Sequence, residues 1–461
     1  MDHIASRRID APVASWHSWA AFRDPPAEVQ LGCGVAKYGQ RFVWTKLHLT
    51  ASQLAPLRLE GDAHGLMDAA TAEVAGSGRE VGAAVLRSSP GDGTACGACL
   101  AAASELPDWV DLDRVGRGQK VFQRYLPHVS VTLFYLSLVG GFSAAVITKV
   151  LFATGYLASS PRLVMRRLLD TGLFLSASRH KHAFLRDPQP WCRFLFDVCL
   201  DGPESLRPGG RGFECCLEVR ALHASVRTRL SKRGWDAEKY GVPVNQEDMV
   251  VTLLAFSYNV LIGVEFLKGS RVSEEEEGDY LHLWRYLGHL LGVRDEHNPC
   301  RSYAAAKATL ESIVVHILEP DADSKKLAKA MLAAPSGGDA TGYAFLTRAE
   351  LCRYMIGDGL ADALDLPVAP PSLRVKLVRL WLAAVGVAID SRLGRLFEIA
   401  HAFQMRAVRW MHGHLRSGSK RHDVAATVDK PVATCPYEPG AGDALRRRTS
   451  CPYAAAGAPG G

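Results

Sequence analysis

Apolar side chains recur at helical spacing through most of the chain beyond residue 106, and the runs are separated by Pro, Gly and Asp clusters. The pattern predicts helices over 112–125, 128–140, 142–156, 160–176, 190–201, 212–232, 245–268, 276–291, 302–317, 323–333, 346–358 and 372–412. Upstream, "LTASQLAPLRLEGDAHGLMDAATAEVA" also reads as helical, while "GSGRE" and "SSPGDGTACGA" read as loops. Period-two alternation is scarce. "CGVAKYGQRFVW" alone suggests a short extended piece. The fold class that follows is all-α.

Two helix starts are sharply marked. Asn245 precedes a first turn carrying Glu247 and Asp248, and Ser273 precedes four glutamates; both suit a cap followed by acids at the positive end of the helix dipole. Residues 129–147 carry no charge, a length that meets the criterion for a membrane span. Ser130, Thr132, Ser137, Ser143 and the pair Gly140-Gly141 favour a core helix broken near the glycines instead. At the ends, the pattern fades. Residues 1–34 read as an irregular extension, 35–418 as a helical domain, and 419–461, rich in Pro, Gly and Ala, as a disordered or loosely packed tail with "CPY" twice.

Composition narrows the function classes. The chain has 461 residues, 48% of them hydrophobic, enough for a substantial core. The net charge of +6 is scattered, with no basic stripe interleaved with aromatics, which argues against nucleic-acid binding. Eleven cysteines without regular spacing, and an N-terminus without an apolar run, point to reduced thiols inside the cell. Cys96 and Cys99 form a single C-x-x-C, a weak metal signal without a second pair. His180 with His182, and His412 with His414, are spaced for a strand rather than a helix and lack further ligands. His297 reads as a capping residue and His401 as core.

The stretch "EVRALHASVR" raises a sharper question. Arg220, His223 and Arg227 share one helix face, so an anion is needed among them. Flanking arginines disfavour the imidazolium, which leaves His223 neutral and able to ligate a metal, haem iron included. The anion is then either a haem propionate or a protein carboxylate, with Glu218 and Glu247 as candidates. A hydrogen-bonded core histidine is the plainer alternative.

The R-x2-H-x3-R motif and the following "YGVPVNQEDMVVTLLAFSYNVLIGVEFL" resemble the latex-clearing protein or rubber oxygenase family, and more closely the mpaB-type, endoplasmic-reticulum-bound oxygenases. "LPDWVDLDRVGRGQKVF", "SLVGGFSAAVITKVLFATGYL", "RRLLDT" and "WRYLGHLLGVRDEHNPC" agree in order, over roughly residues 35 to 418. The resemblance implies a globin-like helical bundle around haem b, with His223 as the proximal iron ligand. It also implies cleavage of an isoprenoid carbon–carbon double bond by dioxygen.

On the open side of that haem the resemblance places Arg167, Asp170 and Thr171, where the rubber oxygenases have Arg-x2-Lys-Thr. Lysine has become Asp170, and no glutamate lies between Gln119 and His182 to serve as the family's base. Asp170 is thus either a base or an ion-pair partner of Arg166 or Arg167. Thr171 either hydrogen-bonds dioxygen or back-bonds within its helix. Arg167 meets a propionate, stabilises charge on oxygen, or lies at the surface. An alternative of another class stays open: a helical haem- or lipid-binding protein without turnover. The expected partners are dioxygen and a hydrophobic isoprenoid or lipid-like molecule, with soluble or peripheral membrane behaviour.

Overall fold

Helix starts in this protein are set by short polar side chains. Ser77, Thr94, Asp111, Asn245, Ser273, Ser302, Asp321 and Ser372 each accept a backbone N–H from the first turn that follows. Ser77, Asn245 and Ser273 form full capping boxes with Glu80, Asp248 and Glu276. The computed structural model describes residues 47–155 and 193–391, the strands β1 (Cys33–Val35) and β2 (Arg41–Val43), and the single positions Pro161 and Val164. The predicted tail lies outside these residues, as do the predicted N-terminal extension apart from Cys33 and Gly34 and the predicted helix over 160–176 apart from Pro161 and Val164.

Among the described residues, the α-helices of six or more residues are α1 (Leu66–Val74), α2 (Gly78–Arg87), α3 (Ala95–Ser104), α4 (Leu112–Arg124), α5 (Leu126–Val131), α6 (Ala145–Thr154), α7 (Arg193–Cys199) and α8 (Arg211–Lys232). Then follow α9 (Gln246–Phe256), α10 (Tyr258–Lys268), α11 (Glu274–Leu290), α12 (Tyr303–His316), α13 (Ala322–Ala333), α14 (Tyr343–Ile356), α15 (Asp358–Ala363) and α16 (Leu373–Asp390). β1 and β2 pair antiparallel as the predicted extended piece at 33–44. The architecture is all-α, as the periodicity predicts.

Two expectations need correcting. The predicted loops at "GSGRE" and "SSPGDGTACGA" hold the starts of α2 and α3, because Ser77 and Thr94 cap helices whose first residues are small. The predicted continuous helix over 49–75 is broken instead. Pro56 and the glycines at 61 and 65 divert it into 3-10 turns at Ala55–Leu59 and Ala63–Gly65, with His64 and Gly65 left-handed. That irregular segment becomes important at the site.

The uncharged run at 129–147 breaks near the glycines, as expected, just after them. α5 continues as a π-helical stretch over Thr132–Val139, stays helical through Gly140 and Gly141, turns at 142–144, and resumes as α6. Among the described residues, the segment apolar and long enough to cross a membrane is Gln246–Lys268, not 129–147. Its most apolar window is 72% buried, and the helix is interrupted at Ser257, so it runs through the core.

The core is built around α11, whose Tyr280, Trp284 and Tyr286 are each at most 1% exposed. α4 crosses it closely at Gly118. A Cβ there would collide with the Asp279 carbonyl and lie 2.8 Å from the Leu283 Cβ. Arg114 and Arg117 both donate to the Asp279 carboxylate across this crossing. Ordinarily Gly→Ala inside a helix is stabilising by roughly 0.5–1 kcal/mol. Here Gly118→Ala is expected to destabilise by about 1–3 kcal/mol, because backbone on the partner helix cannot move aside. The midpoint of urea unfolding checks the sign.

Candidate functional site

α8 is held by its neighbours at close range. A Cβ on Gly78 would sit 2.9 Å from the Leu222 Cα, and one on Gly82 would sit 3.4 Å from the Glu218 Cα, so α2 lies almost backbone-to-backbone on α8. On another flank, Val226 and Leu230 pack with Val150 and Ala153 of α6, and with Trp235 and Val244.

His223 lies midway along α8, between Arg220 and Arg227 as the spacing requires. The anions that reconcile the two arginines are protein carboxylates. Arg220 donates through Nε and Nη2 to both oxygens of Asp62, at 2.6 and 2.8 Å, with both side chains buried. Arg227 donates through Nε to Asp68 at 2.8 Å, and through Nη1 to the Val244 carbonyl. The candidates from the sequence do not fill this role. Glu247 pairs with Arg58, and α2 lies across Glu218. The Arg220 fork is engaged by Asp62 in a buried bidentate pair. Arg227 keeps one uncommitted donor: its Nη2 is buried without a hydrogen-bond partner among the described residues.

Asp62 comes from the irregular segment ahead of α1, and Asp68 from the first turn of α1 itself. Asp62 also accepts from the Met67 N–H, and Asp68 accepts from the Asp62 N–H. Gln246, at the start of α9, ties this segment to the turn after α11. It donates to the carbonyls of Gly61 and Gly292 and accepts from the Arg294 N–H. The glycines make the space. At Gly61 a Cβ would stand 2.6 Å from the Arg227 Cδ, and at Gly292, with φ at +87°, one would stand 2.8 Å from the Arg220 Nε and collide with Asp62.

His223 itself retains some accessible surface, but its Nδ1 is buried and unpaired among the described residues. Burial, followed by the positive charge of Arg227, pushes its pKa down to about 4, against a smaller opposing pull from Asp62. The imidazole is therefore neutral at physiological pH, for which the sequence offered only the arginines as the reason. No cluster of three or more His, Cys, Asp or Glu side chains able to hold a metal occurs among the described residues.

Arg167, Asp170 and Thr171 lie outside the described residues, as do His180, His182, His401, His412 and His414. Cys96 and Cys99 are both buried thiols on α3. Sequence reasoning missed Asp62, Asp68 and Gln246. The Gly-Asp and His-Gly steps in "EGDAHG" signal a turn, but partners 158 and 159 residues away leave no local trace.

Two outcomes follow. Asp62→Ala leaves Arg220 buried without its counter-charge and is expected to cost about 3–5 kcal/mol of stability, read by denaturant unfolding. The second concerns pH. His223 has a lowered folded-state pKa, so its neutral form favours folding fully above the unfolded value of 6.5, and that contribution is lost as pH falls towards about 4. Relative to His223→Gln, the unliganded wild type should lose stability between those two pH values; parallel pH profiles would contradict the assignment.

A profile of the family described as "ER-bound oxygenase mpaB/B'/Rubber oxygenase, catalytic domain" matches residues 130–388, which include His223 and both arginines. The rubber oxygenase of Streptomyces sp. (strain K30) is 28% identical over 169 residues, which cover 35% of this chain and 40% of that protein. The chain thus matches about two fifths of that relative's length. A solved structure described as "Structure of Latex Clearing Protein LCP in the closed state" shares the fold, with a TM-score of 0.52 and 19% identity over 72% of this chain and 84% of the other. With more than half of its length matched by the profile, the chain belongs to the ER-bound oxygenase mpaB/B'/rubber oxygenase catalytic-domain family.

Proposed function

We propose that the protein is a haem-dependent oxygenase that cleaves a carbon–carbon double bond of an isoprenoid or lipid-like substrate with dioxygen. The observation that carries this reading is the solitary, neutral His223, fixed on a clamped helix within the family's matched residues. A single imidazole is too small a donor set for a bare metal ion, which ordinarily takes three or more protein ligands. It does suit an iron already ligated on its other sides, as in haem. The buried, unpaired Nδ1 agrees with a ring whose polar atoms are completed by something other than described protein groups.

Haem bound there would supply the dioxygen chemistry that amino-acid side chains lack. The chain's own residues supply orientation and charge. Ligating imidazoles are usually oriented by a hydrogen bond from their second nitrogen. Here orientation comes through the helix instead, with Arg220 on Asp62 one turn before His223 and Arg227 on Asp68 one turn after. The unpaired Nη2 of Arg227 leaves a buried donor for an anionic group of the cofactor. Of the residues carried by resemblance, Asp170 is the one acid between Asp113 and Asp187 and takes the role of base, with Arg167 and Thr171 beside it as polar contacts to oxygen. In the overall reaction each olefinic carbon ends as a carbonyl bearing one atom of the dioxygen.

Protein from haem-supplied cells should show a Soret band that is lost in His223→Ala, and should release carbonyl products from a farnesyl chain under oxygen. A colourless wild type would overturn the haem assignment. A Soret band without carbonyl products would favour the binding-protein reading, which the Asp170 replacement supports. Full turnover in Asp170→Asn with haem retained would remove Asp170 as the base.

A further inference from the structure

α16 docks on the bundle through one face, and the side chains of the other are exposed and unpacked among the described residues. Val375, Leu382, Gly386 and Ile389 are buried. At this contact the Leu382 carbonyl meets Nε2 of the buried His128 at 2.9 Å. The Lys268 ammonium, 1% exposed at its side chain, holds the Asp390 carboxylate at the end of the helix. A Cβ on Gly386 would lie 2.5 Å from the Lys268 Cγ, so the helix cannot roll about its axis without losing this fit.

The opposite face carries Leu373, Leu377, Leu380, Trp381, Ala384 and Val387, a stripe at helical spacing. Five of the ten exposed large hydrophobic side chains among the described residues belong to this one helix. Leu373 is 70% exposed, Leu380 67% and Trp381 52%. Exposed Val368 and Tyr343 extend the patch at its N-terminal end, where the Tyr343 hydroxyl lies 3.2 Å from Ser372 Oγ. Arg374 and Lys376 flank the stripe on its two edges. Arg379 lies over the Tyr354 ring at 3.8 Å, lining a groove of about 420 Å³ with Phe266 and Leu267. The helix has no acid before Asp390, and that one is engaged by Lys268.

We propose that this face of α16 is a docking surface for an anionic lipid bilayer, lying in the interface with the stripe towards the acyl chains and Arg374 and Lys376 at the headgroups. An apolar stripe edged by cations, with a tryptophan among it, is the chemistry of an interfacial helix. A second copy fits less well. A two-fold interface sets the same patch against itself, and here that brings cations to cations with no acid on the face to answer them. The inference rests on the α16 surface and does not depend on haem binding or turnover.

The test is co-sedimentation of the full chain with vesicles of phosphatidylcholine alone and of phosphatidylcholine with phosphatidylserine. Wild type should pellet preferentially with the anionic vesicles. Leu377→Ser/Trp381→Ser should weaken binding by about tenfold or more, and Arg374→Gln/Lys376→Gln should erase the preference for anionic lipid. All four side chains are exposed, so thermal unfolding should be unchanged. As an independent reading, brominated lipid should quench tryptophan fluorescence in wild type and do so less in Trp381→Tyr. Failure of wild type to pellet with either vesicle would overturn the proposal, as would variants that bind like wild type. Dimerisation in solution that Leu377→Ser/Trp381→Ser abolishes would assign the face to a second copy instead.

Discussion

The buried pair of Arg220 and Asp62 is the constraint on which the candidate site depends. Two charges withdrawn from water are costly unless their geometry is near ideal and their remaining hydrogen bonds are met. Both conditions hold: the guanidinium meets the carboxylate on two parallel bonds, and Asp62 also accepts from the Met67 N–H. Such a pair has one good arrangement and no cheap neighbour. It therefore fixes the rotation of α8, and Arg227 on Asp68 repeats the constraint two turns further along. His223 inherits its direction from both.

Close approach is the second theme. α2 on α8, α4 on α11 and α16 on α10 all meet where a glycine lets backbone or an aliphatic stem come within contact distance, at Gly78, Gly118 and Gly386. These contacts place α8 and α11 firmly enough that Gly292, in the turn after α11, can sit against the Arg220–Asp62 pair without a side chain of its own.

Much of this was legible in the sequence, and the exceptions have physical causes. Most helices from α4 onward follow the apolar period and its caps, although the predicted helix over 245–268 is interrupted at Ser257 and α15 was not foreseen; the break of the 129–147 run near its glycines was visible as such. α2 and α3 were hidden because glycine and small residues just inside a capped start look like loop. The segment ahead of α1 was read as helix because its apolar spacing is helical, although Pro56, Gly61 and Gly65 override it. At the site, the need for an anion between Arg220 and Arg227 was readable from spacing. Its identity was not, because carboxylates distant in the chain, Asp62 on irregular backbone and Asp68 in a first helical turn, carry no local mark of their partners.

The position of Asp62 and Asp68 has a consequence for what counts as the functional unit. Both precede residue 130, where the match to the catalytic-domain family begins. So do Arg58, which answers the buried Glu247, and Gly61, whose carbonyl takes a donor from Gln246. A fragment cut at the family boundary would keep His223 and lose every counter-charge that aims it, with Arg220 left as an unmatched cation in the interior. The smallest autonomous piece must begin no later than Arg58. In this protein the boundary drawn by resemblance and the boundary drawn by folding are different places on the chain.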